Sequence, residues 1–213
     1  MEMHAYYEDY VPSAQRILGD MFDFAVNSCD LELDEVFRLF IVSGLAKQFE
    51  NGNPAFVAGI TGCELLKKVY EELNLEIPNV EDEMYTDKSP EYWAGWALAY
   101  YQWVTGKMFY RIGQAVSMEE ILCMYSVYHE MDITKFVEAM NEKIKAYYQE
   151  TNLKRYRKIA ELSQKQLADL SGVPVRQIQL FEQRQRDINK TQAVTLWRMG
   201  RALGCTMEEL LEV

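Results

Sequence analysis

The sequence has few of the residues that build metal and redox sites. Its 213 residues include two histidines, His4 and His129, and four cysteines that lie far apart with no C-x-x-C pair. A structural zinc site needs four such ligands at short spacings. We therefore predict no metal site and no cofactor.

A long apolar run is also missing. The most apolar stretch, residues 92–104, is too short to span a bilayer and is rich in tyrosine and tryptophan. Residues 1–10 carry Glu2, Glu8 and Asp9 instead of the basic start of an export signal. The sequence therefore predicts a cytoplasmic protein that does not contact a membrane.

Patterns typical of catalytic sites are incomplete. His129-Glu130 matches the first two residues of the zinc-protease motif H-E-x-x-H, but Ile133 stands where the second histidine should be. Cys123 precedes His129 by six residues on one predicted helix, which is poor geometry for a thiolate pair. We expect no enzymatic activity.

The acidic residues are distributed unevenly. Residues 1–150 contain 11 Lys and Arg against 26 Asp and Glu, a net charge of −15, whereas residues 151–213 contain 11 against 7, a net charge of +4. A basic end on an acidic body is expected where only that end approaches a polyanion. We predict two domains, 1–150 and 151–213.

Apolar residues recur at three- and four-residue spacings along most of the chain, and strand-like alternation of useful length is missing. The pattern predicts an all-α fold, with Asp30, Ser117 and Asp132 as helix caps. In the first domain, the predicted helices cover residues 5–26, 31–49, 55–73, 91–104, 118–129 and 133–148. Residues 74–90 hold two prolines and many charges, and we predict a loop there.

The second domain reads as five short helices. The first carries four cations between Lys154 and Lys158, and Ser163 caps the second, which runs from Gln164 to Leu170. A turn through Ser171-Gly172-Val173 leads to a third helix from Pro174 to Gln183. Thr191 and Thr206 are predicted to cap the last two. Two helices of about eight residues joined by a short glycine-containing turn form the helix-turn-helix unit, which binds DNA.

Specific residues strengthen this assignment: Ser163-Gln164, Leu167-Ala168, Gly172-Val173, Ile178, Glu182 and Leu203-Gly204. The segment resembles the Cro and phage-repressor, or XRE-type, helix-turn-helix family. The resemblance covers about residues 152–212 and implies a five-helix, lambda-repressor-like domain that binds double-stranded DNA. It also implies a partly buried ion pair between Arg157 and Glu182.

The third helix is expected to enter the major groove. Helical spacing places Ile178 and Phe181 on its inner side. The residues predicted to face bases are Val175, Arg176, Gln179 and Leu180, of which Arg176 is the strongest candidate because arginine can donate two hydrogen bonds to guanine. The residues predicted to contact phosphates are Gln164, Lys165, Gln183, Arg184, Arg186 and Lys190.

Two features depart from the family pattern. Val175 and Leu180 are apolar where many members of the family carry polar base readers, so they would contact thymine methyl groups at most. Arg184 replaces the glycine that usually follows the third helix, which removes a residue suited to a positive φ.

The first domain is similar to no characterised family. Its most conspicuous feature is an aromatic helical stripe formed by Trp93, Trp96, Tyr100 and Trp103. Such a stripe serves as a ligand or partner surface in some proteins, and in others it is the buried face of a core helix.

Two functions fit these patterns. In the first, the chain is a sequence-specific regulator of transcription, a repressor, whose acidic domain dimerises or senses a ligand. In the second, it is an antitoxin whose acidic domain neutralises a protein toxin while the basic domain represses its own operon. A homodimer is expected in both, because a single small domain buries too little surface on DNA for useful specificity.

Overall fold

The protein folds as helices throughout the part of the chain that the structure, a computed structural model, describes: residues 4–76, 80–81 and 87–212. Thirteen α-helices and no strands lie within those ranges, which confirms the predicted all-α class. The residues up to Ile144 form one compact unit, here called unit 1, and those from Lys145 onwards form unit 2. This division falls six residues before the predicted boundary at 150.

The described residues of unit 1 form a 3₁₀ turn (Glu8–Tyr10) and nine α-helices, the last of which extends past Ile144. They are α1 (Val11–Asn27), α2 (Leu33–Val42), α3 (Leu45–Glu50), α4 (Pro54–Val57), α5 (Gly62–Glu72), α6 (Pro90–Thr105), α7 (Phe109–Ala115), α8 (Met118–Tyr128) and α9 (Ile133–Gln149).

Local sequence signals account for several of these helix ends. Ser117 caps α8 in a capping box with Glu120, as predicted. Asp132 accepts a hydrogen bond from the backbone N–H of Thr134 at 2.9 Å, as expected of the residue that caps α9. Ser89 and Pro90 begin α6, and Gly106, in the left-handed conformation, ends it.

Other predicted boundaries were wrong. The helix predicted over 31–49 is interrupted at Gly44, whose φ of +79° ends α2 and begins α3. Asp30 does not cap α2, which begins at Leu33, two residues later than predicted, with Glu32 at the N-cap position. The helix predicted over 55–73 is divided into α4 and α5. The loop predicted at 74–90 falls partly on residues 77–79 and 82–86, which lie outside the described residues.

Helices α1 and α6 form the centre of unit 1. A Cβ atom added to Gly95 of α6 would collide with the carbonyl oxygen of Leu18 and lie 2.7 Å from the ring of Phe22, both on α1. The two backbones can therefore approach closely only because position 95 is glycine. Ala94, Ala97 and Ala99 of α6 are also small and buried.

As far as residue 212, unit 2 contains four further α-helices and two short 3₁₀ turns. They are α10 (Asn152–Ile159), α11 (Gln164–Ser171), α12 (Val175–Glu182), a 3₁₀ turn (Ile188–Lys190), α13 (Ala193–Leu203) and a second 3₁₀ turn (Glu208–Leu210). Their buried side chains form a separate core: Leu153, Leu167, Val173, Ile178, Phe181, Ile188, Leu196, Met199, Leu203 and Leu210. The predicted fifth helix is thus a single 3₁₀ turn, and Gln192, not Thr191, occupies the N-cap of α13.

No helix within the described ranges is both long enough and apolar enough to cross a membrane.

Candidate nucleic-acid interface

Helices α11 and α12 are joined by a tight turn whose shape is set by three neighbouring residues. Gly172 adopts a φ of +67° and ends α11, a conformation that costs a residue with a side chain about 1–2 kcal/mol. The buried hydroxyl of Ser171 donates to the carbonyl of Leu167 at 2.6 Å and accepts from the N–H of Val173 at 3.3 Å. The sequence placed Ser171 in this turn, but these two bonds were not predicted, although serine just before a turn glycine is a recognisable signal.

Helix α12 has one buried face and one exposed face, as its helical periodicity predicts. Ile178 and Phe181 are 0% and 2% exposed and belong to the core of unit 2. Val175 and Arg176 are exposed, whereas Gln179 and Leu180 are half-buried. The four residues predicted to read bases therefore differ in their exposure to solvent. Arg176, in the first turn of the helix, is exposed and can donate two hydrogen bonds to one base.

An ion pair connects α10 to the end of α12. The guanidinium of Arg157 donates through Nε and Nη2 to the two carboxylate oxygens of Glu182 at 2.6 and 2.9 Å, and Nη1 donates to the carbonyl of Leu162 at 2.8 Å. The two side chains are only 13% and 3% exposed. The bonds to Glu182 raise the pKa of Arg157 above its ordinary value. Two parallel bonds at low exposure fix the orientation of α12 relative to α10.

Gln164, the first residue of α11, joins the same network. Its side-chain Nε2 donates to Glu182 at 2.9 Å, so the amide nitrogen is already engaged within the domain. Gln164 was predicted to contact phosphate, and this bond within the domain was not predicted. Ser163, which precedes it, forms the predicted capping box with Gln166.

The remaining residues predicted to contact phosphate lie at the surface of unit 2. Lys165 and Gln183 are exposed. Arg186 lies over the ring of Phe181, 5.8 Å from its centroid, and Lys190 is 3.3 Å from Asp187. The Lys190 side chain is 84% exposed, and a surface pair of that kind is weak enough for a phosphate to replace the carboxylate.

Arg184 differs from the other residues predicted to contact phosphate. Its guanidinium donates to the carbonyls of Tyr148 at 2.7 Å and Gln149 at 3.1 Å, and it lies 3.2 Å from the carboxylate of Glu212. Both terminal nitrogens thus bond the last residues of α9, inside unit 2. Arg184 has a structural role there that its predicted phosphate contact did not include, and a phosphate would compete with these acceptors for the guanidinium.

The backbone of Arg184 also differs from the sequence-based expectation. Although arginine replaces the usual glycine, its φ is +54°, so the chain keeps the left-handed turn that glycine would favour. The guanidinium contacts to Tyr148, Gln149 and Glu212 offset part of the conformational cost at this position.

The aromatic stripe of unit 1 is divided between core and surface. Trp93 and Trp103 are buried, whereas Trp96 and Tyr100 are half-buried. The indole Nε1 of Trp103 donates to the carbonyl of Tyr6 at 2.9 Å, and its ring stacks on His4 at 4.1 Å. Trp103 thus anchors the start of the chain, which is a structural role.

Trp93 and Trp96 also line a cavity of about 430 Å³ with three tyrosines, Tyr92, Tyr125 and Tyr128. Tyr100 and Trp103 do not line it. The stripe therefore contributes two of its four residues to one aromatic cavity. Cavities of this size and lining accommodate small molecules in other proteins.

No group of three His, Cys, Asp or Glu side chains that could hold a metal ion occurs in the described ranges.

Comparison with protein families finds a match to the C-terminal part of the chain. Residues 153–210 match the model of a family described as helix-turn-helix. The match coincides with the segment that the resemblance indicated and lies within unit 2. Comparisons with curated proteins and with solved structures found no significant match for the chain.

Proposed function

From the helix-turn-helix domain at residues 153–210, we propose that this chain is a sequence-specific repressor of transcription that binds double-stranded DNA. Helix α12 would enter the major groove with Val175, Arg176, Gln179 and Leu180 towards the bases. The observation that carries the proposal is the exposed Arg176 on a helix held in place by the buried Arg157–Glu182 pair. The proposal assigns no catalytic step to the chain.

Phosphate contacts would orient the domain without reading sequence. Lys165, Arg186 and Lys190 are exposed cations of a unit with a positive net charge, and Gln183 adds an exposed amide. Arg184 is excluded from this set because its guanidinium is engaged within the unit. We also propose that the protein binds as a homodimer, since one domain buries about 600–1,000 Å² on DNA and a second half-site would supply the missing specificity.

The decisive experiment compares two arginine variants of the full chain. A preferred duplex is first selected from random sequences, and its affinity and that of a random duplex are then measured by fluorescence anisotropy. Arg176→Ala is expected to weaken binding to the selected duplex by about 1–3 kcal/mol and to change binding to the random duplex little. Arg198→Ala, which removes an exposed arginine of α13, serves as the matched control and should leave the preference intact.

Two results would contradict the assignment. Equal losses on both duplexes would make Arg176 a phosphate contact, and failure to select any preferred sequence would remove the regulator proposal itself. Lys165→Ala supplies the contrasting behaviour: it should weaken both duplexes alike and lower the slope of log affinity against log salt by about 1.

The second candidate, an antitoxin, is favoured by the charge of −15 on residues 1–150. An acidic domain of that charge would attract a basic toxin and would itself be repelled by DNA. Purification of the tagged full chain from its native host, followed by mass spectrometry, separates the two candidates. A stoichiometric small partner whose toxicity the chain suppresses supports the antitoxin, whereas a clean homodimer supports the self-contained regulator.

A further inference from the structure

Unit 1 contains a second cavity, which the proposed function does not use. It measures about 520 Å³ and lies between α3, α6 and the segment that joins α6 to α7. Its lining includes the apolar side chains of Ile41, Ala46 and Met108 and the polar side chains of Glu50 and Gln102. The cavity is separate from the aromatic one, with which it shares no residue.

Gln102 is the unusual member of this lining. The residue is 1% exposed, and no donor in the described part of the chain reaches its side-chain Oε1. A buried acceptor without a partner costs about 1–3 kcal/mol, so native proteins rarely leave one unless it has a function. A helix core position facing only protein would be more stable with leucine. The amide therefore points to a hydrogen-bond donor that comes from outside the chain.

Glu50 supplies a second acceptor in the same lining. It is the last residue of α3, and its Oε1 accepts a hydrogen bond from the backbone N–H of Phe109. Partial burial raises the pKa of this carboxyl above its ordinary value, against the opposing effects of the Phe109 bond and of Lys47. A carboxylate that is poorly solvated gains more than an exposed one from a cation placed beside it.

The charges around the cavity favour a positive ligand. Among the described lining residues, Glu50 and Lys47 are the two that are charged at neutral pH. Lys47 is exposed, and its flexible side chain can turn the ammonium group into solvent. The first 150 residues carry a net charge of −15, which raises the local concentration of small cations. An anion would be attracted by the exposed ammonium of Lys47 but would meet Glu50 and the carbonyl oxygen of Gln102, both of which repel it.

We propose that this cavity binds a small organic cation, a primary ammonium group that carries an aliphatic body. The ammonium donates to Gln102 Oε1 and to the carboxylate of Glu50, and the aliphatic part packs on Ile41, Ala46 and Met108. A volume of about 520 Å³ is within the range of small-molecule sites. The inference is independent of DNA reading by α12.

The test uses the full chain and three probes of similar shape. They are 3-methylbutylammonium, the neutral 3-methylbutanol and the anionic 4-methylpentanoate, each titrated by calorimetry and by ligand-detected NMR. The ammonium is expected to bind saturably, the alcohol more weakly, and the carboxylate not at all. Affinity for the ammonium should fall as the pH decreases through the pKa of Glu50, because protonation removes the charge that pairs with it.

Three variants locate the binding. Gln102→Leu should lower the affinity for the ammonium probe by about tenfold or more. Because it removes an unpaired buried acceptor, it should also raise the melting temperature of the free protein. Glu50→Gln keeps an acceptor for the backbone N–H of Phe109. It should lower the affinity for the ammonium probe about tenfold and leave the affinity for the alcohol unchanged. Gln15→Leu is the matched control: Gln15 is also buried in unit 1, at 7% exposure, but does not line this cavity.

Several outcomes would overturn the proposal. They are the absence of saturable ammonium binding up to millimolar concentration, equal binding by the parent and the Gln102→Leu and Glu50→Gln variants, preference for 4-methylpentanoate, and a crystal structure grown with the ammonium in which Gln102 holds only a water molecule. DNA binding by these variants should match the parent, so failure here leaves the proposed function unaffected.

Discussion

Arg184 of unit 2 combines a strained backbone conformation with a side chain that bonds the end of α9. Its backbone adopts a left-handed φ of +54° while its side chain bonds the carbonyls of Tyr148 and Gln149. The sequence shows that glycine is missing at this position. The bonds of the Arg184 side chain, however, depend on where the end of α9 lies in the folded unit, and residue spacing does not predict that position.

Two substitutions separate the backbone cost at Arg184 from the side-chain gain. Arg184→Gly and Arg184→Ala both remove the guanidinium contacts, but only alanine keeps the Cβ strain, so Arg184→Ala should be about 1 kcal/mol less stable than Arg184→Gly. Hydrogen exchange of peptides from residues 151–212 measures the difference. Neither variant should change the salt dependence of DNA binding, and a flatter salt slope would restore Arg184 as a phosphate contact.

Removing one member of the Arg157–Glu182 pair is expected to destabilise unit 2 far more than replacing both members by apolar residues. Arg157→Met leaves the carboxylate of Glu182, 3% exposed, without its cation and should destabilise unit 2 by about 3–5 kcal/mol. Adding Glu182→Leu should recover much of that loss, because the unpaired charge is then gone. Denaturant titration followed by hydrogen exchange in residues 151–212 provides the measurement.

An exposed pair in the same unit is the control for this cycle. Lys190 and Asp187 are 84% and 45% exposed, and Lys190→Met should cost less than about 1 kcal/mol. If Arg157→Met cost no more than Lys190→Met, the buried pair would not be what holds α12 in place.

At the scale of elements, the close contact between α1 and α6 depends on Gly95. Gly95→Ala would drive a methyl group into the carbonyl oxygen of Leu18 and should destabilise unit 1 by about 1–3 kcal/mol or more. Gly106→Ala, at a φ of +62° with open space around the new Cβ, should cost about 1–2 kcal/mol from strain alone. Near-UV circular dichroism during thermal unfolding reports the effect, since three of the four tryptophans are in unit 1.

Predictions at the element scale succeeded where a local signal was present and failed where packing decided. Ser117 and Ser163 each carry a capping-box partner three residues later, and both begin helices as expected. Helix α7, at Phe109–Ala115, was not predicted, because its seven residues give too short a window for periodicity. The break at Gly44 was missed because an isolated glycine is also tolerated inside helices.

At the scale of the whole molecule, the division of charge should affect DNA binding. Residues 1–150 carry −15 and would repel a duplex held by the basic unit. A fragment beginning at Lys145, which contains the separate core of unit 2, should therefore bind a random duplex more tightly than the full chain at low salt.

Salt provides the internal control for this comparison. The screening length falls from about 30 Å at 0.01 M to about 8 Å at 0.15 M, so the advantage of the fragment should shrink as salt is added. Anisotropy titrations of both proteins at the two ionic strengths make the measurement. An advantage that is independent of salt would indicate a cause other than charge.

The sequence by itself determined the helical class, the unequal charge of the two ends and the helix-turn-helix segment, because each depends on residue type and short spacing. Only the tertiary structure decided that Gln164 and Arg184 bond within unit 2, that Trp103 anchors the chain while Trp93 and Trp96 line a cavity, and that Gln102 and Glu50 share another. The physical reason is common to all of these: hydrogen-bond partners and cavity walls come from residues distant in the chain, and periodicity extends over only one element at a time.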